Sequence, residues 1–262
     1  MQLREQNPKS LLKKYRHSAS SALKIKNAPQ LFVADKIMKL KQPYGDAAIR
    51  GNVAEPLGRY LMAKDITEEQ AWDYAVKKFK KLGGTDKKEL KFAYDCAYKI
   101  AEELKSRQMK RPDQYQERVW NDGIEFGLKY GIVGFLDFTY NNDYNMVIDI
   151  KTTKRVPTKA NYDHILQQSL YWKLTGETRR FALLYASDKR VNFIEISKQE
   201  LQNGWKQILF NMEFIERLDE RCKSKQDWIL SFPYPSIDSF YYSDENFKQL
   251  IIKLYKGVTQ NG

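Results

Sequence analysis

Asp149 and Lys151 stand two residues apart in the apolar, β-branched run Val147-Ile-Asp-Ile-Lys-Thr-Thr153, which reads as a strand. Side chains i and i+2 of a strand share a face. The carboxylate and the ammonium therefore lie side by side, while Ile148 and Ile150 turn to the opposite layer. A second strand pattern, Ile132-Val-Gly-Phe-Leu-Asp-Phe138, carries Asp137, and the Tyr140-Asn-Asn-Asp-Tyr144 segment between them is rich in turn formers. A hairpin on that turn brings Asp137 close to Asp149. Two carboxylates and a lysine that meet where water can enter are the parts needed for metal-assisted phosphodiester hydrolysis. The oxygens hold Mg²⁺ or Mn²⁺, the ion lowers the pKa of a bound water and neutralises phosphate charge, and the lysine orients the water or stabilises developing charge. Taken alone, Asp-x-Lys reads more readily as an ordinary surface ion pair on a solvated hairpin, since such pairs are common.

The elements that must position these groups follow from spacing. Strands are expected at Ile124 to Lys129, Gly131 to Tyr140 and Asn145 to Thr152. A helix from Asn161 to Leu174 crosses over, ending at Thr175-Gly176 with glycine as a left-handed cap. Phe181 to Ala186 is a further strand, with Val191 to Ile196 as its hairpin partner. Gln167 and Tyr171 are four apart on the crossing helix and so share one of its faces. Upstream, a helix is expected from Ala47 to Ala63, carrying Glu55 beside Pro56. Another runs from Thr67 to Leu82, opened by the capping-box sequence Thr67-Glu-Glu-Gln70, and a third, amphipathic one from Asp86 to Met109. After Glu200 come a long helix toward Lys223 and a shorter one near Asp244 to Tyr255, both assigned to packing.

Gly134-x-x-Asp137, Asp149-Ile-Lys151 and Gln167-x-x-x-Tyr171, in that order, resemble the RecB-like exonuclease branch of the PD-(D/E)xK nuclease superfamily. The stretch from Ile124 to Thr178 is most similar to the mitochondrial genome maintenance exonuclease family and to phage exonucleases of that type. Arg50-Gly-Asn-Val-Ala-Glu55-Pro resembles the Gly-x-x-x-His-Glu segment that opens the RecB-like core. Glu55 stands where that segment has its metal-binding histidine, as in the Gly-x-x-x-Glu-Pro pattern of the lambda exonuclease and YqaJ branch.

The resemblance implies an α/β fold: a restriction-endonuclease-like αβββαβ core with a mixed sheet flanked by helices and an added helical lobe, which could form a clamp over the sheet. It further implies that Glu55, Asp137 and Asp149 hold one or two Mg²⁺ or Mn²⁺ ions together with the Ile150 carbonyl, and that Lys151 is catalytic. Gln167 and Tyr171 would contact substrate. Arg50 and Lys154 are assigned to substrate binding, and the position of Lys154 and Arg155 immediately after the strand suits phosphate contacts, although basic loop residues are more often only solvated. A short helix within Leu3 to Lys41 is expected to flank the substrate channel. The activity implied is hydrolysis of DNA from its ends, in replication or recombination and with possible partner proteins of those processes. A structure-dependent or restriction-type endonuclease and a non-catalytic DNA-binding scaffold are the alternatives.

Composition agrees with a polyanionic partner: 45 Lys and Arg against 33 Asp and Glu give a formal charge of +12. The 17 tyrosines include several interleaved with lysines, an arrangement suited to splayed single strands. A length of 262 residues fits a single nuclease domain, with a helical region over 47–110, a sheet core over 120–200 and C-terminal helices over 200–262. No apolar stretch suits a signal peptide or a membrane span, so a soluble intracellular protein is expected. Cys96 and Cys222 cannot supply the four thiolates of the iron–sulfur cluster that some RecB-like proteins carry, and no phosphate-loop motif for ATP is present. His17 and His164 lack zinc spacing, although His164, three residues before Gln167, could touch phosphate from a helix that faces the site.

Overall fold

The computed structural model describes residues 10–43, 45–63, 66–141, 144–236, 238, 242 and 244–259. Its helices are α1 (Ala19–Asn27), α2 (Pro29–Phe32), α3 (Asp46–Ala63), α4 (Glu68–Lys81), α5 (Lys87–Ser106), α6 (Tyr162–Leu174), α7 (Lys198–Arg221), α8 (Lys225–Leu230) and α9 (Glu245–Thr259). The strands are β1 (Gln114–Asn121), β2 (Ile132–Tyr140), β3 (Met146–Thr152), β4 (Arg180–Ala186) and β5 (Val191–Ile196). They form one five-stranded sheet in the order β1-β2-β3-β4-β5. The β2–β3 and β4–β5 pairs are antiparallel, whereas β3 and β4 run parallel because α6 carries the chain back across the sheet. The sheet is therefore mixed, and three strands, helix and strand follow one another as expected.

The first of those strands is not where the alternation was sought. Ile124–Phe126 is a single 3₁₀ turn between Gly123 and Gly127, both at positive φ. The strand is Gln114–Asn121, whose residues alternate between exposed and half-buried. Its polar outer face hides the period-2 signal that apolar residues would have supplied. Asn142 and Asp143, in the turn expected between β2 and β3, lie outside the described residues.

The chain forms two compact units. The unit made of 44–119 and 135–201 holds the helices α3, α4 and α5, most of the sheet, and α6. Ile148 and Ile150 of β3, Phe138 and Tyr140 of β2, and Ala182, Leu184 and Ala186 of β4 all point to one face, where they join Val53, Leu57, Ala97 and Ile100 in one apolar core. Gly58 permits the approach of α3 to α5, since a Cβ there would meet the Ile100 side chain at 3.1 Å and the Ala97 carbonyl oxygen at 3.4 Å. Helix α4 has the expected capping box, Thr67 and Gln70 exchanging bonds with each other's backbone N–H. Helix α6 is followed by Gly176 at φ +68°.

The other unit, 1–43 with 120–134 and 202–262, has its own core of Phe32, Ile215, Trp228, Ile251 and Tyr255. A buried polar network lies within it. Glu216 Oε1 accepts from His17 Nε2 at 2.9 Å and from the backbone N–H groups of Lys129 and Tyr130 at 2.8 and 3.0 Å. Asp219 accepts from the Tyr130 hydroxyl at 2.5 Å and from Ser10 at 3.0 Å. No helix among the described residues is long and apolar enough to cross a membrane.

Candidate active site

Strands β2 and β3 pair Phe138 with Ile148 and Thr139 with Val147, so one further step of the same register sets Asp137 opposite Asp149. The Ile150 N–H donates to Asp137 Oδ2 at 3.0 Å, tying the two strands at that point. With Ile148 and Ile150 in the core, Asp149 and Lys151 face the other side of β3. Asp149 is 1% exposed. Its Oδ2 lies 2.6 Å from the Lys151 ammonium outside hydrogen-bond geometry, and its Oδ1 has no hydrogen-bond partner among the described residues.

Helix α3 brings Glu55 to the same place. Between Glu55 and Asp137 stands a residue that the motifs do not contain, Gln116 of β1. Its amide nitrogen donates to Glu55 Oε1 at 2.6 Å and to Asp137 Oδ1 at 3.1 Å. Gln116 holds φ at +53° inside a strand, a conformation costly to a residue with a Cβ. Nothing in the sequence marks it except its position on β1, the strand that the apolar pattern concealed.

The electrostatics follow from crowding. Burial, then the charges of Asp149 and Glu55, hold the Asp137 carboxyl well above the usual carboxylate range, against the opposing pull of Lys151 and the Ile150 N–H. Burial likewise pushes Glu55 up to about 7, with Asp149 adding to the rise and the Gln116 and Tyr115 hydrogen bonds and the Lys151 charge opposing it. Burial also works against the Lys151 ammonium, but Asp149 and Asp137 outweigh it and raise its pKa.

Helix α6 supplies the next layer. Lys151 Nζ donates to Gln167 Oε1 at 3.0 Å, and Gln167 Nε2 donates to the Tyr171 hydroxyl at 3.0 Å. The four-residue spacing thus places both side chains in one chain of hydrogen bonds that ends on the lysine. Burial, reinforced by Asp149, pushes the Tyr171 hydroxyl up to about 12.

Arg50 and Lys154, expected to hold the strand, instead both pair with Glu89 of α5, a residue that the motifs do not single out. Arg50 is buried, bonds Glu89 Oε2 and lies over the Phe92 ring, while Lys154 Nζ reaches Glu89 Oε1 at 2.6 Å with its side chain 65% exposed. Arg50 is an internal partner here, and only Lys154 retains a surface position.

Three carboxylates and the Ile150 carbonyl are hard oxygen donors suited to Mg²⁺ or Mn²⁺. The unpartnered Asp149 oxygen and the mutual repulsion of the three acids are what a cation would relieve. No three His, Cys, Asp or Glu side chains among the described residues are grouped closely enough to hold an ion as they stand. The Gln116 amide occupies oxygens of Glu55 and Asp137 that an ion would take over.

No protein-family model matches the chain, and no curated protein matches it in sequence. Among solved structures, a protein named "Putative exonuclease" from Eubacterium rectale is similar in fold, with a TM-score of 0.58 and 15% identity, over 94% of this chain and 94% of that one. The structure of SSO0001 is more remote, with a TM-score of 0.32 and 12% identity over 71% of this chain and 86% of that one, and does not bear on the fold.

Proposed function

We propose that the chain is a Mg²⁺- or Mn²⁺-dependent deoxyribonuclease that removes nucleotides from DNA ends. The observation that carries this reading is the Glu55, Asp137 and Asp149 cluster around Lys151, with a buried Asp149 oxygen that has no hydrogen-bond partner among the described residues. Glu55, Asp137, Asp149 and the Ile150 carbonyl would hold the ion, which supplies Lewis-acid neutralisation of the phosphate and a more acidic water. The chain's own groups do the rest. Lys151, kept charged by two carboxylates and steered by Gln167, donates toward the attacking water or a non-bridging phosphate oxygen. The Gln167 to Tyr171 bond fixes the amide that steers it, so the ammonium is aimed before substrate arrives. Attack on phosphorus with loss of the 3′ oxygen leaves a 5′ phosphate, as the resemblance to PD-(D/E)xK nucleases implies. The name of the Eubacterium rectale protein and the net charge of +12 are in line with this activity.

The test is incubation of end-labelled linear single- and double-stranded DNA, beside closed circles, with Mg²⁺, Mn²⁺ or EDTA. Metal-dependent loss of linear DNA alone is expected. Cut circles would make the protein an endonuclease, and binding without cleavage would make it a scaffold.

A further inference from the structure

Beside Lys151 lies a cleft of about 500 Å³, within the range of small-ligand sites of roughly 300–1,000 Å³. Its walls come from Ala47 and Gly51 of α3, the end of β3, the following loop, the start of α6 and Tyr185 of β4. Resting on the nuclease reading, we infer that this cleft is a subsite for a second phosphate group of the bound strand, held by Arg155, Lys159 and the Nε2–H of His164.

Two features carry the inference. The first is the fixed orientation of His164. The buried Tyr185 hydroxyl accepts the Asn161 N–H at 3.0 Å and stands 2.8 Å from His164 Nδ1. Donation of the Tyr185 proton to Nδ1 gives that buried hydroxyl a use for its hydrogen, and in the corresponding tautomer the ring hydrogen sits on Nε2, which has no partner among the described residues. Burial, assisted by the Lys151 charge, pushes the His164 pKa down to about 4, so the ring remains a neutral donor. The second feature is uncompensated positive charge. Lys154 shares the Glu89 carboxylate with Arg50, whereas neither Arg155 nor Lys159 has a carboxylate partner among the described residues, and both line the cleft. Two cations and a neutral N–H beside the end of β3 suit a phosphate, whose oxygens are all acceptors.

The phosphate has two sources, an internal diester with one charge or a 5′-terminal monoester with nearly two. The experiment measures binding of short single-stranded oligonucleotides, carrying either a 5′ phosphate or a 5′ hydroxyl, in EDTA across a range of salt. Arg155→Ala and Lys159→Ala should each weaken binding and reduce the slope of log affinity against log salt by about 0.7, the share of one phosphate contact on a single strand. His164→Ala should weaken binding roughly 3- to 10-fold and leave the slope unchanged, because it removes a donor without removing a charge. A greater loss for the 5′-phosphorylated strand identifies a terminal monoester, and equal losses identify a diester. Unchanged affinity and slope in all three variants would overturn the subsite. Arg155 and Lys159 are exposed, so the test stands even where His164→Ala fails to fold. The nuclease reading fails separately, through absence of cleavage by the unaltered protein with Mg²⁺ or Mn²⁺, while these binding effects persist.

Discussion

Gln116 donates its amide hydrogen to Glu55 at 2.6 Å from a backbone held at φ +53°. The same nitrogen reaches Asp137, so one neutral amide separates two acids that crowd one another. A residue held in the left-handed region costs about 1–3 kcal/mol and persists where its surroundings determine it. Gln116→Gly relieves the backbone cost but removes the donor, leaving Glu55 and Asp137 without it. The metal-free variant should therefore gain more in thermal midpoint from added Mn²⁺ than the unaltered chain does. A gain equal to or smaller than that of the unaltered chain would show that the amide assists ion binding rather than competing with it.

Lys151 is in direct contact with both Asp149 and Gln167. Lys151→Ala should lower the cleavage rate by about 10²- to 10³-fold, the usual loss when one preorganised donor to a developing charge is removed. Strand binding should be retained. Gln167→Ala removes the steering of that ammonium and should cost roughly 10-fold, and Tyr171→Phe less, because the tyrosine hydroxyl is hydrogen-bonded to Gln167 and not to Lys151. Single-turnover rates on end-labelled DNA rank the three, and an intact rate in Lys151→Ala would sink the proposed mechanism.

What the sequence made legible was set by periodicity. β2, β3, β4 and α6 fall within a residue or two of their expected bounds because their buried faces are apolar and regular. The approach of Asp137 to Asp149 follows from a hairpin whose register the side-chain alternation fixes, and Gln167 and Tyr171 share a face because they are four apart. β1 was hidden because its outward residues are Gln114, Gln116, Arg118 and Trp120, which give no apolar alternation, and Gln116 was hidden with it. The partnership of Arg50 and Lys154 with Glu89 joins three segments distant in the chain, and local spacing carries no trace of such a contact.

Glu89 is buried between Arg50 and Lys154, and those two cations hold its carboxyl below the usual range although burial, the largest influence, opposes them. Replacing it leaves the Arg50 guanidinium buried without a counter-ion. Glu89→Ala should destabilise the fold by roughly 2–3 kcal/mol, less than the full cost of breaking a buried pair because Lys154 is at the surface. Lys154→Ala should cost under about 1 kcal/mol. Urea titrations of the two variants check the ranking, and equal losses would show that Glu89 depends on Lys154 rather than on Arg50.

Acid should withdraw the stability held by His17 and His164 first and by Glu216 second, whereas Glu55 and Asp137, whose raised carboxyls take up protons more readily in the folded chain, oppose that loss as pH falls. Burial, the main influence, depresses the pKa of His17 below 6.5 against the raising effect of Glu216, and burial also lowers His164 to about 4. A base with a depressed folded pKa binds its proton more readily in the unfolded chain, so the stability present above pH 6.5 is lost as pH falls toward the folded value. Glu216 acts at lower pH. Its burial opposes ionisation, but the His17 bond and the Lys129 and Tyr130 N–H groups overcome this and hold its pKa below 4.5, so its contribution is lost as pH falls through that lower value. The ring of His17 is faced by Glu216 of α7, by Tyr15 of its own segment and by Tyr130, and Glu216 is the charged group among them. His17→Gln keeps an amide donor for Glu216 without a titrating ring. Denaturant midpoints measured from about pH 7.5 to about pH 4.5 should therefore decline less steeply in His17→Gln and in His164→Gln than in the unaltered chain, and least in the double variant. The chain contains these two histidines and no others, so an undiminished decline in the double variant would assign the loss to carboxylates instead.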